Sequence, residues 1–233
     1  MLNVKSENCI NCETCNERSP LFSFLNKEEL SIMNSGRFEV QFDAGETIVK
    51  QGTSASHMMV ITTGMAKLFL QGFDRRNLIL DIILPWKLFG GPGLFTDLRY
   101  HYTVTALEKT HVCFVSAENA RKVIRLNPDF AESILRHCNR NGAANFDRLI
   151  SLTQKQMPGR LADALLYLCN EIFRSTKFAL PLSRLELGEM SNMTKESVTR
   201  ILKDFENEGI VALDNKSIEI LKLETLKDIS LRG

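Results

Sequence analysis

Residues 182–211, LSRLELGEMSNMTKESVTRILKDFENEGIV, constrain this chain more than any other stretch, because they spell two short helices and the turn between them. Ser183 followed three positions later by Glu186 is a capping-box pattern, in which two orphan backbone N–H groups at a helix start are satisfied reciprocally. This first helix is predicted to end near Met190, with Ser191 and Asn192 making the turn. Thr194 is placed to cap a second helix whose apolar residues Val198, Ile201, Leu202 and Phe205 recur at helical spacing on one face. Glu196, Thr199, Arg200 and Lys203 fall on the other. Gly188, lacking a side chain, is expected to let the two helices approach closely near Val198.

Two short helices joined by a tight turn, the second amphipathic with an Arg and a Glu on its open side, describe a helix-turn-helix whose second helix enters the DNA major groove. Arg200 can donate two hydrogen bonds to guanine O6 and N7, and Glu196 can accept from cytosine N4. Thr194 and Lys195 suit the phosphates, through a hydroxyl or backbone N–H and a point charge. The competing reading is a solvated Glu196–Arg200 surface pair, worth about 0.2–0.5 kcal/mol. The residues after the second helix favour the first reading: Gly209 ends that helix, 210–213 reads as a strand, Asp214 and Asn215 turn the chain, and Ile218 and Ile220 alternate as a second strand. A hairpin directly after the second helix is a wing.

The rest of the 233 residues bounds the partners. Charged residues at 24% and hydrophobic ones at 44% are ordinary for a globular protein, and a net charge of +1 confers no overall affinity for nucleic acid. Basic charge must therefore be local: Lys195, Arg200, Lys203 and Lys216 are the candidates, doubled in a dimer. Residues 1–16 show no apolar core flanked by basic residues, and the apolar run 78–84 is too short to cross a bilayer and contains Asp81. The expectation is a cytoplasmic protein without a membrane partner. Six cysteines in a reducing compartment then read as thiols or metal ligands rather than disulfides.

At the N-terminus Cys9, Cys12 and Cys15 stand at equal short intervals, a spacing that lets thiolates wrap one inorganic centre and that leaves the set one ligand short. Residues 24–34 read as a short amphipathic helix with Asn26 as cap, Glu29 three positions on, and Leu30 and Met33 facing inward. Strand signals then take over. Phe38, Val40 and Phe42 alternate with polar residues, Ile48 and Val49 follow, and the segments 58–61, 65–70, 78–84, 102–106 and 112–115 continue the pattern. Short strands at this spacing suggest a sandwich or barrel.

KESVTRIL preceded by LSRLELGEM resembles the recognition motif of the CRP/FNR superfamily of bacterial transcription regulators, and AGETIVKQG with the GGPGLF of 90–95 matches its strand-turn signature. The resemblance implies an α+β chain: a cysteine-bearing N-terminal segment (1–20), a jelly-roll β-barrel sensor domain of cyclic-nucleotide-binding type (21–126), a long dimerisation helix (127–157) and a winged helix-turn-helix DNA-binding domain (158–233). Cyclic-AMP-binding members carry a Glu for the ribose and an Arg-Ser pair for the cyclic phosphate. Here Gly91, His101 and Tyr102 stand at those places, and neither a neutral histidine nor a phenol replaces a guanidinium at a phosphate, so no cyclic AMP binding is expected. The stretch TALEKTHVCFV is similar to the segment that supplies the last cluster ligand in the oxygen-sensing members and sets Cys113 on that position. Cys9, Cys12, Cys15 and Cys113 would then hold a 4Fe–4S cluster. Cys15 follows Cys12 more closely than the third ligand does in those members. Zinc, a thiol redox switch, or a sensor for haem, nitric oxide or a small molecule are the alternatives at the same domain.

Asn127 and Pro128 open a helix predicted to run to about 156, with Ile134, Cys138, Asn145, Leu149 and Leu152 near one stripe and Asn141 adding polarity. The family likeness makes this the homodimer seam, where an Asn sets register at a cost in stability. Pro158 and Gly159 interrupt the pattern at the expected domain boundary, before an amphipathic helix at 161–173. Cys138 and Cys169 sit in helical apolar patterns and are expected to pack rather than ligate; His57 and His111 are expected at surface or satisfied positions. No Ser-His-Asp set, phosphate loop or paired-carboxylate motif supports an enzyme. The partners implied are double-stranded DNA bearing a palindromic operator with half-sites close to TTGA, RNA polymerase and a second copy of the chain. A ligand sensor acting through protein contacts alone is the reading from another class.

Overall fold

The structure, a computed structural model, describes residues 19–215 and 217–233. Cys9, Cys12 and Cys15, with almost all of the expected N-terminal segment, and Lys216 lie outside the described residues. Internal contacts divide the chain into two compact units, one running to Gln71 and resuming over Asp81–Gly142, the other made of Gly72–Leu80 and Ala143–Gly233.

The first unit is a β-roll. After a 3-10 turn at Pro20–Phe24 comes α1 (Lys27–Asn34), started by the expected capping box: Asn26 Oδ1 accepts from the Glu29 N–H, and the Glu29 carboxylate accepts from the Asn26 N–H, both at 2.9 Å. The strands are β1 (Phe38–Phe42), β2 (Thr47–Val49), β3 (His57–Thr63), β4 (Ala66–Gln71), β5 (Asn77–Ile83), β6 (Leu88–Phe89), β7 (Thr103–Ala106) and β8 (Thr110–Ser116). They form two four-stranded sheets, ordered β1-β8-β3-β6 and β2-β7-β4-β5. Strand β8 is central, pairing antiparallel with β1 on one side and β3 on the other, so that Cys113 lies opposite Glu39 and Val60. The core holds Met59, Ile61, Val104, Val112 and Val115, all fully buried.

The alternation in β1 does not translate into simple burial. Phe38 remains 45% exposed, its ring stacked on Phe114 at 4.9 Å between centroids, because an edge strand offers it a cross-strand aromatic rather than a covered core. Two elements lay outside the sequence expectations: the two-residue strand β6, and α2 (Ala117–Leu126), which buries Ala117, Ala120 and Val123 at helical spacing directly after β8.

The long helix α3 (Pro128–Gln154) opens as expected, with Asn127 Oδ1 accepting from the Phe130 N–H at 2.9 Å and Pro at its first position. Its apolar stripe departs from the expected packing. Ile134 is buried, but Cys138 is exposed, as are Leu135, Phe146, Leu149 and Ile150; among the described residues nothing covers them. Cys138 therefore does not pack in the manner of Cys169, which is 4% exposed.

In the second unit Pro158 begins a helix rather than merely ending one: α4 (Met157–Tyr167) carries it in its first turn and continues through a π-helical turn at Leu168–Phe173. Then come β9 (Lys177–Ala179), α5 (Arg184–Ser191), α6 (Lys195–Asn207), β10 (Val211–Asp214), β11 (Ser217–Ile220) and α7 (Leu223–Arg232). The expected wing hairpin is present, with Val211 opposite Ile220 and Leu213 opposite Ile218. Strand β9 makes it three-stranded, in the order β10-β11-β9, and Lys177 meets Glu219 across the strands at 2.8 Å. Neither β9 nor α7, which packs on α4, was expected from the sequence.

Arg148 of α3 is a fastening the sequence did not announce. Its guanidinium donates to the carbonyls of Leu80 at 3.1 Å, Met190 at 2.6 Å and Ile79, two in the middle of β5 and one in the last turn of α5. Beside it Asn77 Nδ2 donates to the Glu189 carboxylate at 3.0 Å. The first helix of the α5–α6 pair is thus held near its C-terminus by side chains from two separate segments.

Candidate functional site

The α5–α6 pair is built as its sequence dictates. Ser183 Oγ accepts from the Glu186 N–H at 3.2 Å, and the Glu186 carboxylate accepts from the Ser183 N–H at 2.7 Å, which completes the capping box of α5. Asn192 closes α5 in the left-handed region at φ +50°, a conformation Asn tolerates better than most residues. The Met193 N–H then donates to the Gly188 carbonyl at 2.9 Å. Gly188 is required here for a different reason than expected. A Cβ at this position would stand 2.5 Å from the Met193 carbonyl oxygen, so the close approach is to the turn backbone and not to Val198.

Thr194 caps α6, its Oγ1 accepting from the Ser197 N–H at 3.2 Å. Behind α6, Val198, Ile201, Leu202 and Phe205 are all at most 4% exposed. In front, Thr194, Lys195, Glu196, Thr199, Arg200 and Lys203 are all exposed. With about 100° between successive residues, the five helical ones fall within an arc of about 140°.

The competing Glu196–Arg200 pair does not form. Arg200 reaches instead toward Asp204, 3.9 Å away and half-exposed like itself, a contact weak enough to exchange for another acceptor. Glu196 stands at the helix start, where its own backbone N–H and then the Thr194 hydroxyl keep its carboxyl below the usual carboxylate range. The face therefore offers one exposed ionised acceptor and one loosely held bidentate donor.

In the β-roll, Tyr102 is 9% exposed and its hydroxyl oxygen accepts from the Gly90 N–H at 2.8 Å; burial pushes the phenol pKa upward. Gly91 has φ +79°, and a Cβ there would stand 2.9 Å from Tyr102 Cε1. His101 is half-exposed and bonded to Asp97 at 3.0 Å. The three departures noted in the sequence thus produce a site with no carboxylate at 91, no guanidinium at 101 and an aromatic ring filling the space between.

Cys113 is buried in β8, and Arg37 Nε donates to its sulfur at 2.9 Å. A cationic donor on sulfur suits a thiolate better than a neutral thiol. Among the described residues no group of three or more His, Cys, Asp or Glu side chains comes together that could hold a metal ion. His57 is satisfied by Ser56 at 2.8 Å from its Nδ1 and, like His111, is half-buried.

Two family descriptions fit this chain: a cyclic nucleotide-binding domain over residues 39–127 and a Crp-like helix-turn-helix domain over residues 159–229. The chain belongs to the CRP/FNR superfamily of transcription regulators.

Among its relatives, this CRP/FNR regulator is 28% identical to the transcriptional activator protein FnrA of Stutzerimonas stutzeri over 181 residues, which cover 76% of this chain and 74% of that one. It is 25% identical to the transcriptional activator protein Anr of Pseudomonas protegens, covering 94% of this chain and 91% of the relative. It is 24% identical to a CRP-like cAMP-activated global transcriptional regulator of Mycobacterium tuberculosis, covering 90% and 95%. In fold it is similar to FixK2 of Bradyrhizobium japonicum, with TM-score 0.77 and 21% identity over 84% of this chain and 98% of that chain. A CRP/FNR-family regulator of Eubacterium rectale gives TM-score 0.75 at 16% identity over 91% and 98%. The CRP/FNR regulator is thus a DNA-binding protein of a family of transcription regulators, not of enzymes, and among its described residues no helix is long and apolar enough to cross a membrane.

Proposed function

We propose that this CRP/FNR regulator reads a palindromic operator as a homodimer and senses oxygen or redox state through a 4Fe–4S cluster held by Cys9, Cys12, Cys15 and Cys113. The observation that carries the DNA half is the exposed face of α6, where Thr194 and Lys195 meet phosphates, Arg200 and Glu196 meet base edges, and Thr199 and Lys203 flank them. The dimer is supported by the exposed apolar residues of α3: Leu135, Phe146, Leu149 and Ile150 lie at helical spacings, Leu135 and Leu149 two heptads apart, as on a helix that seats against its own copy. Two copies of α6 would then lie about one helical turn of DNA apart. RNA polymerase is the partner through which such a regulator acts, and the cytoplasm its compartment.

The sensor half is supported by the cysteine set and by the likeness to FnrA and Anr, while the Gly91–Tyr102 arrangement speaks against cyclic AMP. A bound cluster of this kind supplies an oxygen-sensitive, electron-accepting centre. The chain's own part is to hold it between an N-terminal segment and β8, so that its presence or loss biases the α3 pairing on which operator binding depends.

Protein prepared without air tests this. Iron and acid-labile sulfide at about four each per chain, visible absorbance that bleaches in air, and weaker operator binding after bleaching are expected. Zinc without sulfide would move the sensor to the alternative metal; neither metal nor sulfide would end the cluster reading and leave the DNA reading in place.

A further inference from the structure

Helix α3 ends at Gln154, and the chain reaches α5 only by way of α4, the π-helical turn and β9. Arg148 makes a shorter connection. Its guanidinium, carried on α3, donates to the Met190 carbonyl, 42 residues further on, at 2.6 Å. Met190 lies in the last turn of α5, where carbonyls lack a partner within the helix and a cation meets the negative end of the helix dipole. Asn192 then turns the chain toward α6. The bond therefore falls at the joint that sets the direction of α6.

A guanidinium is a planar fork, so several acceptors taken at once fix its direction as well as its distance. Besides Met190, Arg148 takes the carbonyl of Leu80 through Nη1 at 3.1 Å and that of Ile79 through Nη2, both in β5. Beside it Asn77, at the start of β5, donates through Nδ2 to the Glu189 carboxylate at 3.0 Å. The Met190 carbonyl points along the α5 axis and the Glu189 side chain away from it, so the two bonds together oppose both sliding and turning of α5.

We infer that Arg148 is a positioning residue for operator reading: it ties the α5–α6 joint directly to α3, so that in a dimer seated on α3 the half-site spacing that the two α6 copies accept is set at this side chain. Asn77 assists through Glu189. The inference rests on the reading that α3 pairs with its own copy and that α6 enters the major groove. One base pair added between half-sites moves the second by about 3.4 Å and turns it by about 35°. A fixed pair of reading helices rejects that change, whereas a pair swinging on the α3–α4 connection alone accommodates it.

The test uses the full chain as wild type, Arg148→Ala, Arg148→Lys and Asn77→Ala, in mobility-shift titrations at fixed salt. The duplexes carry the operator that the wild type selects from random DNA, the same half-sites one base pair closer or further apart, and one half-site alone. Arg148→Ala is expected to bind the selected operator about 2- to 30-fold more weakly, the range usual for a residue that couples two sites without touching a ligand. Its binding to the altered spacings and to the single half-site is expected to match the wild type, with the same base preference. Arg148→Lys, which keeps the charge but not the fork, and Asn77→Ala are expected to show this pattern more weakly, and they decide the matter should Arg148→Ala fail to fold. Wild-type spacing preference in all three variants would overturn the role of Arg148 and leave α6 as the reading helix. A loss on the single half-site equal to that on the whole operator would overturn it too, since Arg148 would then only support the α5–α6 pair. A wild type indifferent to spacing would overturn the inference alone, and a wild type that selects no sequence would overturn both it and the DNA reading on which it rests.

Discussion

The ring of Tyr102 fills the space that any side chain at position 91 would need, with Cε1 only 2.9 Å from where a Cβ on Gly91 would stand. A carboxylate for a ribose cannot be introduced there without moving a buried phenol that is tied to the Gly90 N–H. Isothermal titration of the wild type with cyclic AMP is expected to give no heat of binding, and Gly91→Glu is expected to lower stability by about 1–3 kcal/mol without creating a site, since overpacking adds to a backbone at φ +79° that L residues avoid. Tight cyclic AMP binding by the wild type would contradict this account of the sensor.

Gly188→Ala sets a methyl against the Met193 carbonyl, backbone against which it cannot be relieved by a rotamer. A loss of about 1–3 kcal/mol is expected in chemical unfolding, together with weaker operator binding because the turn sets the angle between α5 and α6. Retention of full stability would show that the turn yields more easily than its geometry implies.

The part of the molecule legible in the sequence is the part whose signals are local. The capping boxes at Asn26 and Ser183, the Thr194 cap and the apolar stripe of α6 are each written within eight residues or so of chain, and each formed as expected. Elements stabilised by distant partners were missed. Strand β9 has three residues and exists because β11 pairs with it, β6 has two and depends on β3, and α7 is recruited by α4. Arg148 and Arg37 look like ordinary surface arginines in sequence, because what distinguishes them is three carbonyls and one sulfur brought from 42 to 76 residues away. The fate of Cys138 was misjudged for the opposite reason: periodicity marks an apolar face but not what covers it.

His137 links the long helix to the β-roll, one ring nitrogen lying 3.1 Å from the Leu88 carbonyl. Burial lowers its pKa, the Leu88 carbonyl and Asp81 oppose that shift, and Lys87 and Arg140 add to it. The folded chain therefore keeps the imidazole neutral to lower pH than the unfolded chain, whose histidine protonates near the ordinary value of about 6.5. Between those two values the unfolded state binds more protons, so stability falls as pH drops through that window and levels off below the folded value. Melting temperature is expected to decline as pH falls through and below about 6.5, and His137→Gln is expected to shrink that decline relative to wild type. An unchanged decline in the variant would assign it to other groups, of which His57, also lowered by burial, is the first to examine.

On the proposed reading, Arg200, held only by a half-exposed contact to Asp204, meets a base edge from the face of α6. Selection of operators from random duplex DNA, followed by mobility-shift titration at fixed salt, measures this directly. Arg200→Ala is expected to lose about 1–3 kcal/mol on the selected operator, roughly 5- to 150-fold, and to relax one base position, with binding to unrelated DNA little changed. Equal affinity and equal base preference for wild type and variant would contradict the assignment of α6 as the reading helix.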